Sequence, residues 1–205
     1  MNTGIFGGTF NPIHNGHLII AETILVEKNL DEIIFVPSAK PPHKNNTSII
    51  APNLRLEMLK LATIDDDRFK ISDIEILRDG YSYTIDTMEF LSKKYPYKNL
   101  FFIIGADNIP NISNWKRPDD LIKIFSLIIA QRPDFDSVEK LIDETPLPKS
   151  LKNKLKKSIV STPLIDISST LIRDRRFNGK SIDKLVPKKV NAFIMDNGLY
   201  KARRI

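Results

Sequence analysis

The chain has 205 residues, 41% of them hydrophobic and 27% charged, which is enough length and apolar content to enclose a core as one globular domain. Its net charge of +6 points towards phosphates or polyanions, but the excess is local: from Lys149 onward there are 15 basic and 4 acidic residues, while the preceding 148 carry 16 and 21. The absence of cysteine excludes disulfide frameworks, thiolate metal sites and cysteine nucleophiles.

In chain order, short β-rich runs alternate with amphipathic stretches. Strand patterns over Gly4–Phe6, Glu32–Val36, Phe69–Ile76, Leu100–Ile104 and Ser126–Ala130 are interleaved with helical patterns over Gly16–Lys28, Pro52–Ala62, Thr84–Tyr95 and Pro118–Ile124. In the Pro52–Ala62 helix the spacing sets Leu54, Met58 and Leu61 on the apolar face and turns Arg55 and Lys60 away. Past Gln131 the pattern becomes more helical, with Val138–Asp143, Ser150–Lys157, Ser168–Phe177 and Pro187–Asn197, a weaker strand around Leu164–Ile167, and Asn197-Gly198 as a C-terminal cap. Alternation of this kind predicts an α/β domain whose parallel strands, nearly continuous in apolar residues, are covered on both faces. The apolar stretches Leu18–Val26 and Ile124–Ala130 fall short of the roughly 20 residues needed to span a bilayer. Met1-Asn2-Thr3 runs into the first strand without a basic leader region, so the expected compartment is the cytoplasm.

The first strand ends in Gly7-Gly8-Thr9-Phe10-Asn11-Pro12-Ile13-His14-Asn15-Gly16-His17, and a helix follows at once. Glycines at the turn admit a close ligand, and the helix N-terminus offers N–H groups and the positive end of its dipole to an anion. His14 and His17, three residues apart at that helix start, converge on one locus, where imidazole N–H groups suit phosphate oxygens and developing negative charge. A metal pair is the weaker alternative, because Glu22 lies more than a turn further on and no third ligand is near in sequence. The plain structural alternative makes one histidine a helix cap and exposes the other. Further along, Ser168 and Ser169 precede a helical run with Arg173 one turn inside, which is a second potential anion site.

The first string and Ile167-Ser168-Ser169-Thr170-Leu171-Ile172-Arg173 together resemble the two signatures of the nucleotidyltransferase superfamily that carries a His-x-Gly-His motif. Within it the chain is similar, over essentially its whole length, to the bacterial nicotinate-nucleotide adenylyltransferases. That likeness rests further on Pro41-Pro42-His43-Lys44, Gly80-Tyr81-Ser82-Tyr83-Thr84, Gly105-Ala106-Asp107 with Trp115 downstream, and the closing Val186-Pro187-Lys188-Lys189 to Gly198-Leu199-Tyr200. Asn11 stands where that family usually has Asp.

The resemblance implies a Rossmann-like open parallel sheet with helices on both faces and a helical C-terminal subdomain. It implies a single domain over 1–205, with a core over 1–145 and the second ATP motif in 146–205. The implied reaction joins nicotinate mononucleotide to the AMP part of ATP. His17 would serve the α-phosphate, His14 the neighbouring phosphates, and Arg173 with Ser168 and Ser169 the outer phosphates. Gly7, Gly8, Thr9, Phe10, Gly105, Asp107 and Ile167 would frame the nucleotide. Lys44, Thr84, Trp115 and Arg132 would receive the acceptor, with Lys44 also serving the reacting phosphates. Magnesium is expected to arrive with ATP, without dedicated protein ligands. No nucleic acid or membrane partner is expected, and a homo-oligomer is compatible with the family.

The basic C-terminal quarter motivates a rival class, a nucleic-acid-binding protein. Lys149, Lys152, Lys154, Lys156 and Lys157 carry no interleaved aromatics, however, and alternate with Leu151 and Leu155 as the wet face of an amphipathic helix does. Asp65-Asp66-Asp67, the single acidic run, reads as a solvated helix end.

Overall fold

Strands with apolar residues at consecutive positions cannot leave either face of their sheet to water. The computed structural model describes residues 1–41, 49–131, 137–163 and 165–202. Strands β1 (Asn2–Gly8), β2 (Glu32–Pro37), β3 (Phe69–Ile71), β4 (Asn99–Gly105), β5 (Ser126–Gln131) and β6 (Ile159–Ser161) form one sheet in the order β3-β2-β1-β4-β5-β6. All five neighbouring pairs are parallel; at the centre Ile5 lies opposite Ile34 on one side and Phe102 on the other. This is the expected Rossmann-like sheet. Its strand order reverses between β1 and β4, where open α/β sheets receive ligands beyond the carboxyl ends of their strands.

The helices are α1 (Asn15–Glu27), α2 (Pro52–Thr63), α3 (Ile74–Leu77), α4 (Thr84–Lys94), α5 (Pro118–Ile124), α6 (Val138–Glu144), α7 (Lys149–Lys156), α8 (Ser169–Phe177) and α9 (Lys188–Asp196). A 3-10 helix occupies Ala106–Asn114. Strand residues divide between two cores with period two. Phe6, Ile33, Phe35, Ile103 and Ile128 pack with Ile20 and Ile24 of α1, Met58 and Leu59 of α2, Ile172 of α8 and Val190 and Ile194 of α9. Ile5, Ile34, Phe102, Ile104 and Ile129 pack with Ile85 and Met88 of α4, Leu121 of α5, Ile142 of α6 and Leu155 of α7. Each fully buried Ile, Leu or Phe contributes about 1.5–3 kcal/mol. Helices α8 and α9, late in the chain, thus share a core with α1 and α2.

Three expectations are corrected. The third strand ends at Ile71: Ser72 N–H still donates to Phe35 O, but Asp73 O then accepts from Ile76 and Leu77 and opens α3. An apolar run of this length fits either element until its partners are known. The sixth strand is Ile159–Ser161, pairing with β5 from Ile129, and not the Leu164–Ile167 segment. Pro163, which has no N–H for a ladder, follows it; Ile165 and Ile167 pack onto the first core in the approach to α8, and Leu164 lies outside the described residues. Finally, Arg55 is not turned away. It is 0% exposed, on the inner face of α2 beside Met58 and Leu59, whereas Leu54 and Leu61 are only partly buried.

Three of the α7 lysines have structural partners. Lys152 Nζ donates to Asp143 O at the end of α6 (2.7 Å), Lys154 Nζ to Lys123 O at the end of α5 (3.0 Å), and Lys156 pairs with Asp143 (2.7 Å). Cations at helix C-termini satisfy last-turn carbonyls and oppose the dipole.

Candidate active site

The loop after β1 is shaped by close packing. A Cβ on Gly8 would sit 2.9 Å from the Phe10 ring, so only glycine lets the loop fold back on itself here. Phe10 has φ +47°, a left-handed conformation that costs a non-glycine residue about 1–2 kcal/mol. Its ring, 2% exposed, offsets that cost by burying edge-to-face against Phe6, Phe35 and His17, with centroids 5.7, 5.7 and 5.1 Å away.

The two histidines form a reciprocal cap at the start of α1. His14 is the N-cap; its Nδ1 accepts from His17 N–H, and His17 Nδ1 accepts from His14 N–H, both at 3.3 Å. The rings stack with centroids 3.6 Å apart and planes 29° from parallel. With each Nδ1 acting as an acceptor, the neutral ring carries its proton on Nε2. The cap thereby selects the tautomer in which Nε2, the nitrogen the cap does not use, is the donor. Capping leaves Nε2 as a donor, so the cap is compatible with anion recognition rather than an alternative to it. Gly16 makes room for it: a Cβ there would meet His14 Nδ1 and Ile165 Cγ2, each at 3.0 Å.

The second motif docks on this loop. Ser168 caps α8 by accepting from Leu171 N–H (3.1 Å). Ser169, the first residue of the helix, donates its hydroxyl to Pro12 O (2.9 Å). Arg173 donates from Nη1 to Asn11 O (3.0 Å) and from Nη2 to Thr170 Oγ1 (3.1 Å). These bonds join segments 157 and 162 positions apart and bring the N-termini of α1 and α8 to the same loop. The C-terminal segment closes the cluster. Gly198 N–H donates to Met195 O and Leu199 N–H to Ile194 O, ending α9 and delivering Tyr200, whose hydroxyl donates to Asn11 Oδ1 (2.9 Å). Burial pushes the Tyr200 hydroxyl above its ordinary pKa, with the nearby Arg173 and Arg55 acting in the opposite direction, so it remains a donor.

At the carboxyl end of β4, the Asp107 carboxylate leans over Gly105 in the space a Cβ would occupy. A Cβ on Gly7 would lie 3.2 Å from the Phe102 ring, and Phe102 meets Trp115 edge to face at 6.3 Å. Phe102 therefore bridges the glycine loop and the half-buried Trp115. Thr84 opens α4, yet Tyr83 occupies the N-cap position and no side chain caps the helix, so capping does not explain Thr84. Beside it, Lys116 Nζ lies 4.9 Å from the Tyr83 ring and pairs with Asp86 at 2.8 Å, while Lys40 Nζ lies 4.8 Å from the Tyr81 ring. Ser82 Oγ accepts from Ala39 N–H (3.1 Å), holding the segment after β2 against the start of α4. Ile167 packs at the edge of the first core just before Ser168. Lys44 and Arg132 lie outside the described residues.

Residues 5–175 match the cytidylyltransferase-like family. A probable nicotinate-nucleotide adenylyltransferase of Clostridium tetani is 42% identical over 199 residues, covering 96% of this chain and 98% of its own. The nicotinate-nucleotide adenylyltransferase of Bacillus subtilis is also 42% identical over 199 residues, covering 97% and 98%. The chain belongs to the nicotinate-nucleotide adenylyltransferase family. Its fold agrees with that of the Plasmodium falciparum nicotinic acid mononucleotide adenylyltransferase solved with NaAD, at TM-score 0.76 and 20% identity over 97% of each chain.

Against this adenylyltransferase frame, the residues that sequence reasoning left without a role are Arg55, Tyr200, Tyr81, Tyr83 and Lys116. Tyr81, Tyr83 and Tyr200 lay inside segments recognised as family-like, so a signal for them existed. Arg55 and Lys116 had none.

Proposed function

We propose that the chain is a nicotinate-nucleotide adenylyltransferase acting in NAD biosynthesis: ATP and nicotinate mononucleotide give nicotinate adenine dinucleotide and pyrophosphate. The observation that carries the site assignment is the docking of Ser169 and Arg173 onto Pro12 O and Asn11 O, which aims two helix N-termini and a guanidinium at the loop bearing the histidine pair.

The acceptor's 5′-phosphate is largely ionised at neutral pH, since its second pKa is about 6, so no general base is required. An oxygen of that phosphate attacks the α-phosphorus in line. The bond from the α-phosphorus to the bridging oxygen breaks, and pyrophosphate leaves with the electron pair. What the protein supplies is alignment and neutralisation of crowded charge. His17 Nε2–H donates to the α-phosphate as its charge grows, His14 serves the adjoining phosphates, and Arg173 with the α8 N-terminus holds the outer ones. Gly7, Gly8, Thr9 and Phe10 frame the nucleotide through the main chain, and Gly105 and Asp107 take its ribose side. Trp115 and Thr84, with Lys44 and Arg132, receive the pyridine nucleotide.

Magnesium fits here as an ion borne by the triphosphate, because the site offers N–H donors and cations. Among the described residues no group of three or more His, Cys, Asp or Glu is placed to hold a metal. When bound, it neutralises triphosphate oxygens and eases departure of pyrophosphate. Among the described residues no helix is long and apolar enough to cross a membrane.

Coupled detection of pyrophosphate with ATP and a panel of nicotinate mononucleotide, nicotinamide mononucleotide and 4′-phosphopantetheine tests the assignment. Release with nicotinate mononucleotide, with the dinucleotide as product, is the expected result. Inactivity with that acceptor, or a preference for phosphopantetheine, refutes it.

A further inference from the structure

Arg55 is the only charged side chain among the described residues to be 0% exposed. A guanidinium cannot be buried without partners, and the partners it finds are all main-chain carbonyls around the active site. Nη1 donates to Thr9 O at 2.7 Å, Nε to Ile50 O at 3.1 Å and Nη2 to Ala39 O at 3.4 Å. Thr9 belongs to the loop after β1, Ala39 follows β2, and Ile50 precedes α2. The loop after β1 and both ends of the connection from β2 to α2 thus converge on one planar fork. Burial draws the Arg55 pKa below its ordinary value, and nearby Tyr200 and Glu75 act in the opposite direction, but a guanidinium retains its proton in proteins.

We infer that Arg55 is a positioning residue for adenylyl transfer: its three hydrogen bonds fix the peptide between Thr9 and Phe10, and with it the His14–His17 locus, relative to Ala39 and Ile50. Thr9 O and Phe10 N–H belong to the same peptide group, so a charged donor on the carbonyl both orients that N–H and polarises it. Phe10 is also the residue held at φ +47°. Its ring packs on His17, so a rotation of this peptide moves the ring against which His17 rests. Ala39 is held from the other side by Ser82, and Ile50 N–H in turn donates to Asn11 Oδ1 at 3.4 Å. A fork with donors at fixed angles matches three carbonyls at once, whereas an ammonium of equal charge on a flexible stem does not.

The inference rests on the adenylyltransferase reading, and the wild-type enzyme tests that first, by releasing pyrophosphate with nicotinate mononucleotide. Given that activity, Arg55→Lys keeps the charge and removes the fork. The expected result is a fall in kcat on the order of 10- to 100-fold, with KM for ATP within about threefold of wild type and kcat normalised to the folded fraction from circular dichroism. KM does not depend on the active fraction, so partial folding leaves that half of the measurement intact. Should Arg55→Lys yield no folded protein, Ser82→Ala loosens Ala39 from its opposite side, and a fall in kcat at unchanged KM for ATP is expected there too. A lowered Tm with wild-type kcat and KM in Arg55→Lys would assign Arg55 to stability alone and overturn the inference. A raised KM with unchanged kcat would also overturn it, by placing Arg55 in ground-state binding.

Discussion

His17 caps α1 and, in the proposed mechanism, meets the α-phosphate, and a single substitution separates the two roles by size. His17→Ala removes the Nδ1 that accepts from His14 N–H at 3.3 Å, but leaves the other half of the cap, in which His14 Nδ1 accepts from the main-chain N–H at position 17. One long capping bond contributes about 0.5–1 kcal/mol, and for a domain of this size each kcal/mol moves Tm by about 2–4 °C. The Phe6 and Phe10 rings also lose an edge contact. The structural cost is therefore a few degrees in Tm. The catalytic cost is larger. A preorganised donor aimed at charge that develops only in the transition state contributes about 2.7–4 kcal/mol, or 10²- to 10³-fold in kcat. His17→Asn keeps an acceptor in position to restore the cap without carrying a ring N–H to the same point, so it should recover Tm and not kcat. Initial rates of pyrophosphate release at saturating ATP and nicotinate mononucleotide, beside thermal melts, check both halves. A kcat within about threefold of wild type in a folded His17→Ala enzyme would refute the assignment of His17 to the transition state.

Two other substitutions probe the walls of the site. Tyr200→Phe deletes the hydroxyl that donates to Asn11 Oδ1; the expected loss is about 1 kcal/mol, read as a fall in Tm of about 2–4 °C in calorimetry, and an unchanged Tm would mean that the C-terminal segment does not brace the loop. Trp115→Ala should raise KM for nicotinate mononucleotide about tenfold, the worth of roughly 1.4 kcal/mol of aromatic contact, while KM for ATP stays near wild type; equal acceptor KM values would remove Trp115 from the acceptor site.

How far the sequence discloses this protein depends on whether a feature is periodic or convergent. The sheet was legible because β1, β2, β4 and β5 carry apolar residues at both parities, and that pattern has one common solution, a parallel strand covered on both faces. Where the pattern was short it was ambiguous. Ile71 to Leu77 has four apolar residues in seven positions, and the turn at Ser72-Asp73, not hydropathy, decides between strand and helix. Ile159-Val160 carries no strand signal because two residues after a lysine-rich helix offer no period at all, although the pairing with Ile129 and Ala130 is regular once formed.

The same division runs through the site. The grouping of the histidine pair and of the paired serines with Arg173 was legible because short spacing at a helix start brings such residues together, and the structure adds the reciprocal cap that explains why Gly16 stands between the histidines. Arg55 departs from its expected place on the wet face for a physical reason. An arginine on an amphipathic helix belongs on the wet face unless something inside accepts its donors, and nothing local in α2 does so. The acceptors are the carbonyls of Thr9, Ala39 and Ile50, which every residue possesses and no residue type announces. Burial of that cation is therefore a property of two loops meeting, and becomes visible only when chain segments 46 and 16 positions from Arg55 are in place together. A positioning group of this kind is bound to escape motif-based reasoning, because its partners are main-chain atoms, and this makes the fork geometry of Arg55, more than its charge, the feature that substitution by lysine isolates.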